Sequence, residues 1–288
     1  MTLPLTTTGS NVTVADLLQR GRQQLAHLDS AVIDCEVLLC SVLRQQRHYL
    51  FAHADAVISA GELADFNSLM TKRASGFPVA YLTGNREFWS LSLEVNQHTL
   101  IPRPETELLV ELALEAIPID KNACVLDLGT GSGAIAIAIA RERPACTVTA
   151  IDISLPTLTM AQQNATRLGV ENICFVHSDW FSATVAQPYD LIVSNPPYVE
   201  SADSGFINGE IRHEPRIALD GGSHGLDAYR RIIPAAVGFL ASGGRLLFEH
   251  GHTQGEPVRQ LLHYNRYRDI QTRQDYAGLD RVTLATLP

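Results

Sequence analysis

Ser194-Asn195-Pro196-Pro197-Tyr198 follows the apolar run Leu191-Ile192-Val193, so a carboxamide, two rigid prolines and a phenol stand where a strand ends. An amide or exocyclic amine is a poor nucleophile because its lone pair is delocalised, and a site that uses one must orient it. Asn195 can offer its side-chain carbonyl to one N–H of such a group, while the peptide carbonyl of Pro196 accepts the other. Proline suits that position because its fixed φ keeps the carbonyl pointed one way. Tyr198 can pack against the plane of the substrate. Asn195, Pro196 and Tyr198 are therefore the candidate catalytic residues, and Asn195, Pro196, Pro197 and Tyr198 the candidate substrate site. Alone, a Pro-Pro pair more often just punctuates a loop; a second constellation upstream changes that balance.

Val125-Leu126-Asp127-Leu128 runs into Gly129-Thr130-Gly131-Ser132-Gly133 and then into an apolar helix. Three glycines let the chain turn sharply off a strand and bring backbone N–H groups against a ligand with no Cβ in the way. Asp152 lies 19 positions beyond Gly133 at the end of the next strand, close to the spacing at which an acid accepts from ribose hydroxyls. A carboxylate there prefers a diol to a phosphate, which argues against NADP and ATP. The glycine spacing departs from the Gly-x-Gly-x-x-Gly of dinucleotide enzymes and favours an adenosine cofactor without a pyrophosphate, a description S-adenosylmethionine fits. Asp179-Trp180 follows the third strand, where an acid and a flat ring could hold an adenine. Gly129, Gly131, Gly133, Asp152, Asp179 and Trp180 are thus the candidate cofactor residues. The chemistry implied is methyl transfer to a planar nitrogen, leaving S-adenosylhomocysteine. No strong general base is needed, since a proton can leave after transfer, and orientation of the reactants can supply about 7–11 kcal/mol of the barrier.

No metal site is expected. His250-Gly251-His252 lacks a third ligand placed by any motif, and it reads as a loop facing the active-site rim. Glu105 and Glu107, in a first helical turn, read as acids serving the helix dipole.

The elements that must position these residues are legible in the periodicity. From Val14 to Arg73 the pattern is helical: Val14, Leu17, Leu18 and Leu25 form one apolar face and Val37, Leu38 and Val42 another, and Ser59 with Glu62 makes a capping box opening a third helix. Residues 1–78 read as a small helical domain and 79–104 as a linker built on a β-hairpin, with Leu91, Leu93 and Val95 alternating with polar residues. Residues 105–288 read as the catalytic domain. There a helix from Glu105 to Ile117 precedes five β-rich runs, Val125–Leu128, Val148–Asp152, Ile173–His177, Leu191–Ser194 and Arg245–Glu249, separated by helical stretches. Such alternation argues for a doubly wound α/β fold on a mostly parallel sheet. Tyr267–Thr272 and Arg281–Thr286 break the rhythm and are expected to pair antiparallel at one edge, giving seven strands.

Composition bounds the rest. The 288 residues are 45% hydrophobic and carry 22 Lys plus Arg against 31 Asp plus Glu, a formal charge of −9. That field repels a polyanion, so no direct nucleic-acid partner is expected. Five cysteines without a Cys-x-x-Cys pair fit free thiols packed as small apolar residues in a reducing compartment. The longest apolar run, Ala134–Ala140, is too short to span a bilayer, and Met1–Asn11 lacks the pattern of a secretory signal. A cytoplasmic monomer without membrane contact is expected.

At this point the chain closely resembles the release-factor glutamine N5-methyltransferase family. The resemblance covers almost the whole length: Leu82-Thr83-Gly84, Arg86-Glu87-Phe88-Trp89, Ile101-Pro102-Arg103-Pro104-Glu105-Thr106-Glu107, Asp127 to Gly133, Ser178 to Phe181, Asn195 to Tyr198, Glu214-Pro215 and Asp280 to Leu284. Asn-Pro-Pro-Tyr is shared with DNA adenine methyltransferases, whereas the Ile101–Glu107 block is far more restricted. The resemblance implies a class I methyltransferase domain with a helical N-terminal domain for substrate recognition. It also implies peptide chain release factors as partners, with the glutamine of their Gly-Gly-Gln motif as substrate, and by the same resemblance Gly129, Thr130, Gly131, Ser132, Gly133, Asp152, Trp180 and Asn195 bind S-adenosylmethionine while Asn195, Pro196, Pro197 and Tyr198 hold the glutamine. It is weaker over Glu200–Gly225, where His213 and His224 depart from what relatives often carry. The rival readings are a nucleic-acid adenine N6-methyltransferase and a non-catalytic S-adenosylmethionine-binding protein.

Overall fold

A computed structural model describes residues 12–184, 187–207 and 209–288; Met1–Asn11 lies outside them. The chain divides into two compact units at Gly84/Asn85.

The first unit is helical: α1 (Val14–Gln24), α2 (Ala31–Leu43), α3 (Arg47–Ala52), α4 (Ala60–Ala74) and α5 (Val79–Thr83). Reciprocal capping boxes open α1, at Thr13 and Asp16, and α4, at Ser59 and Glu62. The second is the box expected from the sequence, opening the fourth helix rather than the third, because the short α3 intervenes. Leu17, Leu25, Leu38, Leu39, Leu50, Phe66 and Met70 form the core. The expected α2 face is corrected: that helix is apolar almost all round, and it buries Cys35, Leu38 and Leu39 while Val37 is 39% exposed. Its two buried acids are paired, Asp34 with Arg73 at 2.7 Å and Glu36 with Arg22 at 2.8 Å and Arg47 at 2.7 Å. The linker expected from residue 79 opens with a helical turn over residues 79–83, and Gly84, at φ +74°, ends that helix in a conformation most side chains resist.

The second unit begins with the hairpin β1 (Asn85–Phe88) and β2 (Leu91–Glu94), turned by Trp89 and Ser90 at φ +52° and +56°. A 3₁₀ turn over Pro104–Thr106 leads into α6 (Glu107–Ala116). Then come β3 (Cys124–Leu128), α7 (Ala134–Glu142), β4 (Thr147–Asp152), α8 (Leu155–Arg167), β5 (Ile173–His177) and β6 (Tyr189–Ser194). α9 (Asp227–Ala236), β7 (Leu240–Glu249), α10 (Gly255–Tyr264), β8 (Arg268–Gln274) and β9 (Asp280–Thr286) complete the unit. The seven strands lie in the order β5-β4-β3-β6-β7-β9-β8, parallel except for β9, which runs antiparallel to both neighbours. This is the doubly wound sheet with an antiparallel edge pair read from the sequence. One face packs on α6, α7 and the hairpin, whose Phe88, Leu91 and Leu93 are buried there; the other packs on α9 and α10. α7 is buried on all sides from Ala134 to Ala140, which is why its sequence is apolar without period.

Chain order reverses between β3 and β6. Leu128 lies opposite Ile151 on one side and Ser194 on the other, so the ends of β4, β3 and β6 meet where open α/β sheets bind ligands. Among the described residues no helix is long and apolar enough to cross a membrane.

Candidate active site

Gly129, Gly131 and Gly133 all have positive φ, +76°, +59° and +85°. At Gly133 a Cβ would come within 2.8 Å of Ile137 Cδ1 and 3.2 Å of Ala161 Cβ, so only glycine lets α7 and α8 approach this closely. The N–H groups of Gly129, Thr130, Gly131 and Gly133 are turned onto protein acceptors rather than held out for an anion. Gly129 and Thr130 donate to the Ile151 carbonyl at 3.0 and 2.8 Å, Gly133 donates to the Thr130 carbonyl at 2.9 Å, and Gly131 donates to Asp152 Oδ2 at 3.0 Å. The other oxygen of Asp152 accepts from the Ser154 N–H at 2.9 Å. Burial raises the Asp152 pKa above the ordinary aspartate value against the pull of these N–H groups. Beneath the loop Asp127 is fully buried and accepts from the Thr130 hydroxyl at 2.7 Å; desolvation pushes its pKa up to about 7. Asn164 Nδ2 donates to the Ser132 carbonyl at 3.0 Å and its Oδ1 accepts from Glu94 N–H at 2.7 Å, fastening the loop to the hairpin.

A cavity of about 270 Å³ opens beside this loop. Of the expected cofactor residues it is lined by Gly129, Gly131, Asp152, Asp179, Trp180 and Asn195, and of the substrate residues by Asn195 and Pro197. Thr130, Ser132 and Gly133 are not part of the lining: they shape the turn, with Thr130 and Ser132 only 5% and 2% exposed. Trp180, at φ +51°, packs against the sheet core and stands 3.7 Å from where a Gly129 Cβ would lie. Asp179 is exposed and pairs with Arg231 at 2.9 Å, a partner the sequence did not suggest.

Asn195 begins the segment after β6, and its Nδ2 donates to the Thr106 hydroxyl oxygen at 3.2 Å. With the NH₂ end so used, the carbonyl Oδ1 is what Asn195 has to offer a ligand. Pro196 is buried, and Tyr198 is drawn inward: its hydroxyl donates to Glu249 Oε1 at 3.2 Å, and burial raises its pKa beyond the ordinary phenol range. Neither lines the cavity. Tyr198 is thus better placed to brace the segment than to stack on a substrate held there. The backbone beyond it is clamped: Val199 N–H donates to the Leu219 carbonyl and Gly221 N–H to the Val199 carbonyl, each at 2.8 Å, while Gln254 Nε2 donates to the Tyr198 carbonyl at 2.9 Å. A Cβ at Gly221 would lie 2.7 Å from the Pro197 carbonyl oxygen.

Arg103 and Glu214 form an ion pair, and the Ile101 N–H donates to the same carboxylate at 3.1 Å, which anchors the segment carrying Pro215, Ile217 and Ala218 at the cavity wall. Glu107 does more than serve its helix: its Oε1 accepts from the Trp89 N–H at 2.9 Å and so holds the hairpin turn. His250 does not face the rim. It is fully buried, with Nε2 2.8 Å from Thr283 Oγ1, and burial lowers its pKa. Of the cysteines Cys35 and Cys146 are buried as expected, whereas Cys174 is exposed.

The sheet, the glycine turn with its acid and the Asn-Pro-Pro segment define a methyltransferase fold. A structure titled Methyltransferase from Pyrococcus furiosus aligns with a TM-score of 0.52 at 16% identity, covering 77% of this chain and 98% of that one. Residues 105–223 match the Methyltransferase small domain family and residues 16–84 the PrmC N-terminal domain. Curated relatives named release factor glutamine methyltransferase are 47% identical in Vibrio cholerae, over 95% of this chain and 96% of that protein, and 43% identical in Escherichia coli K12, over 93% and 96%. The chain belongs to the release factor glutamine methyltransferase family.

Proposed function

We propose that this protein transfers a methyl group from S-adenosylmethionine to the side-chain amide nitrogen of the Gly-Gly-Gln glutamine of peptide chain release factors. The observation that carries the reading is Asn195, at the lining of the cavity with its NH₂ end engaged by Thr106, which leaves its carbonyl to offer an acceptor. The relatives' name supplies the class of substrate.

The cavity suits the cofactor. Its charged lining residues are Asp152, Asp179, Asp220 and Asp227 against one arginine; Asp179, Asp220 and Asp227 each pair with an arginine, and the excess of acid in the lining disfavours a phosphate. The inward-turned N–H groups of the glycine loop agree with that choice. Asp152 would accept from the ribose hydroxyls with its remaining lone pairs, and Trp180 and Asp179 would border the adenine. When bound, the cofactor would supply an activated methyl on a sulfonium, whose thioether would keep the electron pair of the C–S bond. Asn195 Oδ1 and the Pro196 carbonyl would each take one N–H of the glutamine, directing the nitrogen lone pair at that methyl; the surplus proton departs to solvent. The helical unit would contribute substrate recognition, and the enzyme would act as a cytoplasmic monomer.

Incubation with labelled S-adenosylmethionine and either a release factor or DNA tests the reading. Label on the release-factor glutamine, located by mass spectrometry, supports it; label only on DNA adenine, or on neither, defeats it.

A further inference from the structure

Glu249 ends β7 with no place in the chemistry above. Phe248 pairs with Ser194 in the sheet, so the residues one step on, Glu249 and Asn195, leave neighbouring strands side by side. Glu249 is fully buried; its Oε1 accepts from Tyr198, and its Oε2 has no partner of good hydrogen-bonding geometry among the described residues. A carboxyl so placed is costly unless it acts on its neighbours. One neighbour is Thr106, only 4% exposed, which accepts from Asn195 and favours the charged form of Glu249.

The two ends of an asparagine amide are nearly alike in shape and opposite in hydrogen bonding. Turned the wrong way, Asn195 would set its own NH₂ against the NH₂ of the glutamine. A threonine hydroxyl could support either orientation, because it both donates and accepts. An ionised carboxylate, which only accepts, would draw the single hydrogen of Thr106 towards it and leave a lone pair for Asn195 Nδ2. We infer that Glu249 is a positioning residue for methyl transfer, holding Tyr198 directly and fixing, through Thr106, which end of the Asn195 carboxamide meets the substrate. This rests on the reading of Asn195 given above.

The device is sensitive to pH. Burial pushes Glu249 up to about 7 and the charge of Glu105 adds to the rise, while Thr106, Arg281 and Tyr198 oppose it; the Tyr229 hydroxyl donates to the Glu249 backbone carbonyl at 2.8 Å. Once protonated, Glu249 can itself donate to Thr106, freeing the threonine hydrogen for Asn195 Oδ1. The amide orientation is then no longer specified, so turnover falls on the acid side.

The test uses the full chain, a release factor and labelled S-adenosylmethionine. Thr106→Val should lower kcat by about tenfold or more with cofactor affinity held within about twofold, and Thr106→Ser should restore most of it. Wild-type kcat should decline as pH falls through about 7, and Glu249→Gln should be slower at high pH and lack that decline. Wild-type-like kcat in Thr106→Val, or an unchanged acid limb in Glu249→Gln, overturns the inference. Asn195→Ala separates the two readings: if it is inactive while the other variants are normal, only the role of Glu249 falls, and if it turns over normally, the reading of Asn195 falls with it.

Discussion

The ends of β3 and β6 lie side by side yet are held in different ways. After β3 the chain is fixed mainly through its backbone: positive-φ glycines, N–H groups turned onto the Ile151 carbonyl and the Asp152 carboxylate, and one close approach at Gly133, with the side chains of Asn164 and Asp127 holding Ser132 and Thr130 in place. After β6 it is fixed by side chains from distant segments, Thr106, Glu249 and Gln254, and by a loop pressed against it at Gly221. A backbone-defined pocket tolerates many side chains around it. A side-chain-defined one fails when a single partner is lost, which is what orienting a weak nucleophile requires.

The largest effect that could break this contrast is Asn195→Ala, expected to reduce methyl transfer by about 10²–10³-fold or more while cofactor affinity, measured by calorimetry, falls far less. Near-normal turnover would remove the carboxamide from the reaction. Gly221→Ala comes next. Its Cβ would crowd the Pro197 carbonyl and lie 2.8 Å from Tyr198 Cα, so kcat should drop by about 10–100-fold at nearly constant cofactor affinity; equal losses in both would mean the two strand ends are not separate. Asp152→Ala should do the reverse, weakening cofactor binding by about tenfold, and unchanged binding would take Asp152 out of the ribose site.

Asp127→Asn sharpens the comparison with the smallest change in activity, because it acts on stability. The Asp127 pKa is raised from 3.8 to about 7 by burial, so its stabilising contribution is complete below about pH 4 and is lost as pH rises towards 7. Stability of wild type minus Asp127→Asn should therefore fall across that window, with a slope of at most about 1.4 kcal/mol per pH unit. Denaturant titrations that stay parallel from pH 4 to 7 would show that Asp127 does not titrate there.

The backbone-defined half was the more legible in sequence, because glycine spacing and an acid at a fixed distance are local signals. The strands were legible too, although β7 begins at Leu240 rather than Arg245: its first residues bulge against β6 between Tyr189 and Leu191, with Gly243 at φ +75° and a Gly244 Cβ only 2.9 Å from the Tyr189 carbonyl oxygen. The short helix from Val79 to Thr83 was not legible, since five residues are too few to show a helical period. The side-chain half was hidden. Thr106, Asn195 and Glu249 stand far apart in the chain, and only the β6–β7 register and the turn before α6 bring them together. The one available signal was a carboxylate at the end of the apolar run Leu246-Leu247-Phe248.

The most direct measurement is the structure of the full chain bound to S-adenosylhomocysteine and a release factor, or a peptide carrying its Gly-Gly-Gln loop. The account predicts the glutamine nitrogen at about 2.7–3.2 Å from both Asn195 Oδ1 and the Pro196 carbonyl oxygen, with the cofactor sulfur on its far side. A glutamine nitrogen bound elsewhere, with Asn195 turned away from it, would contradict the account.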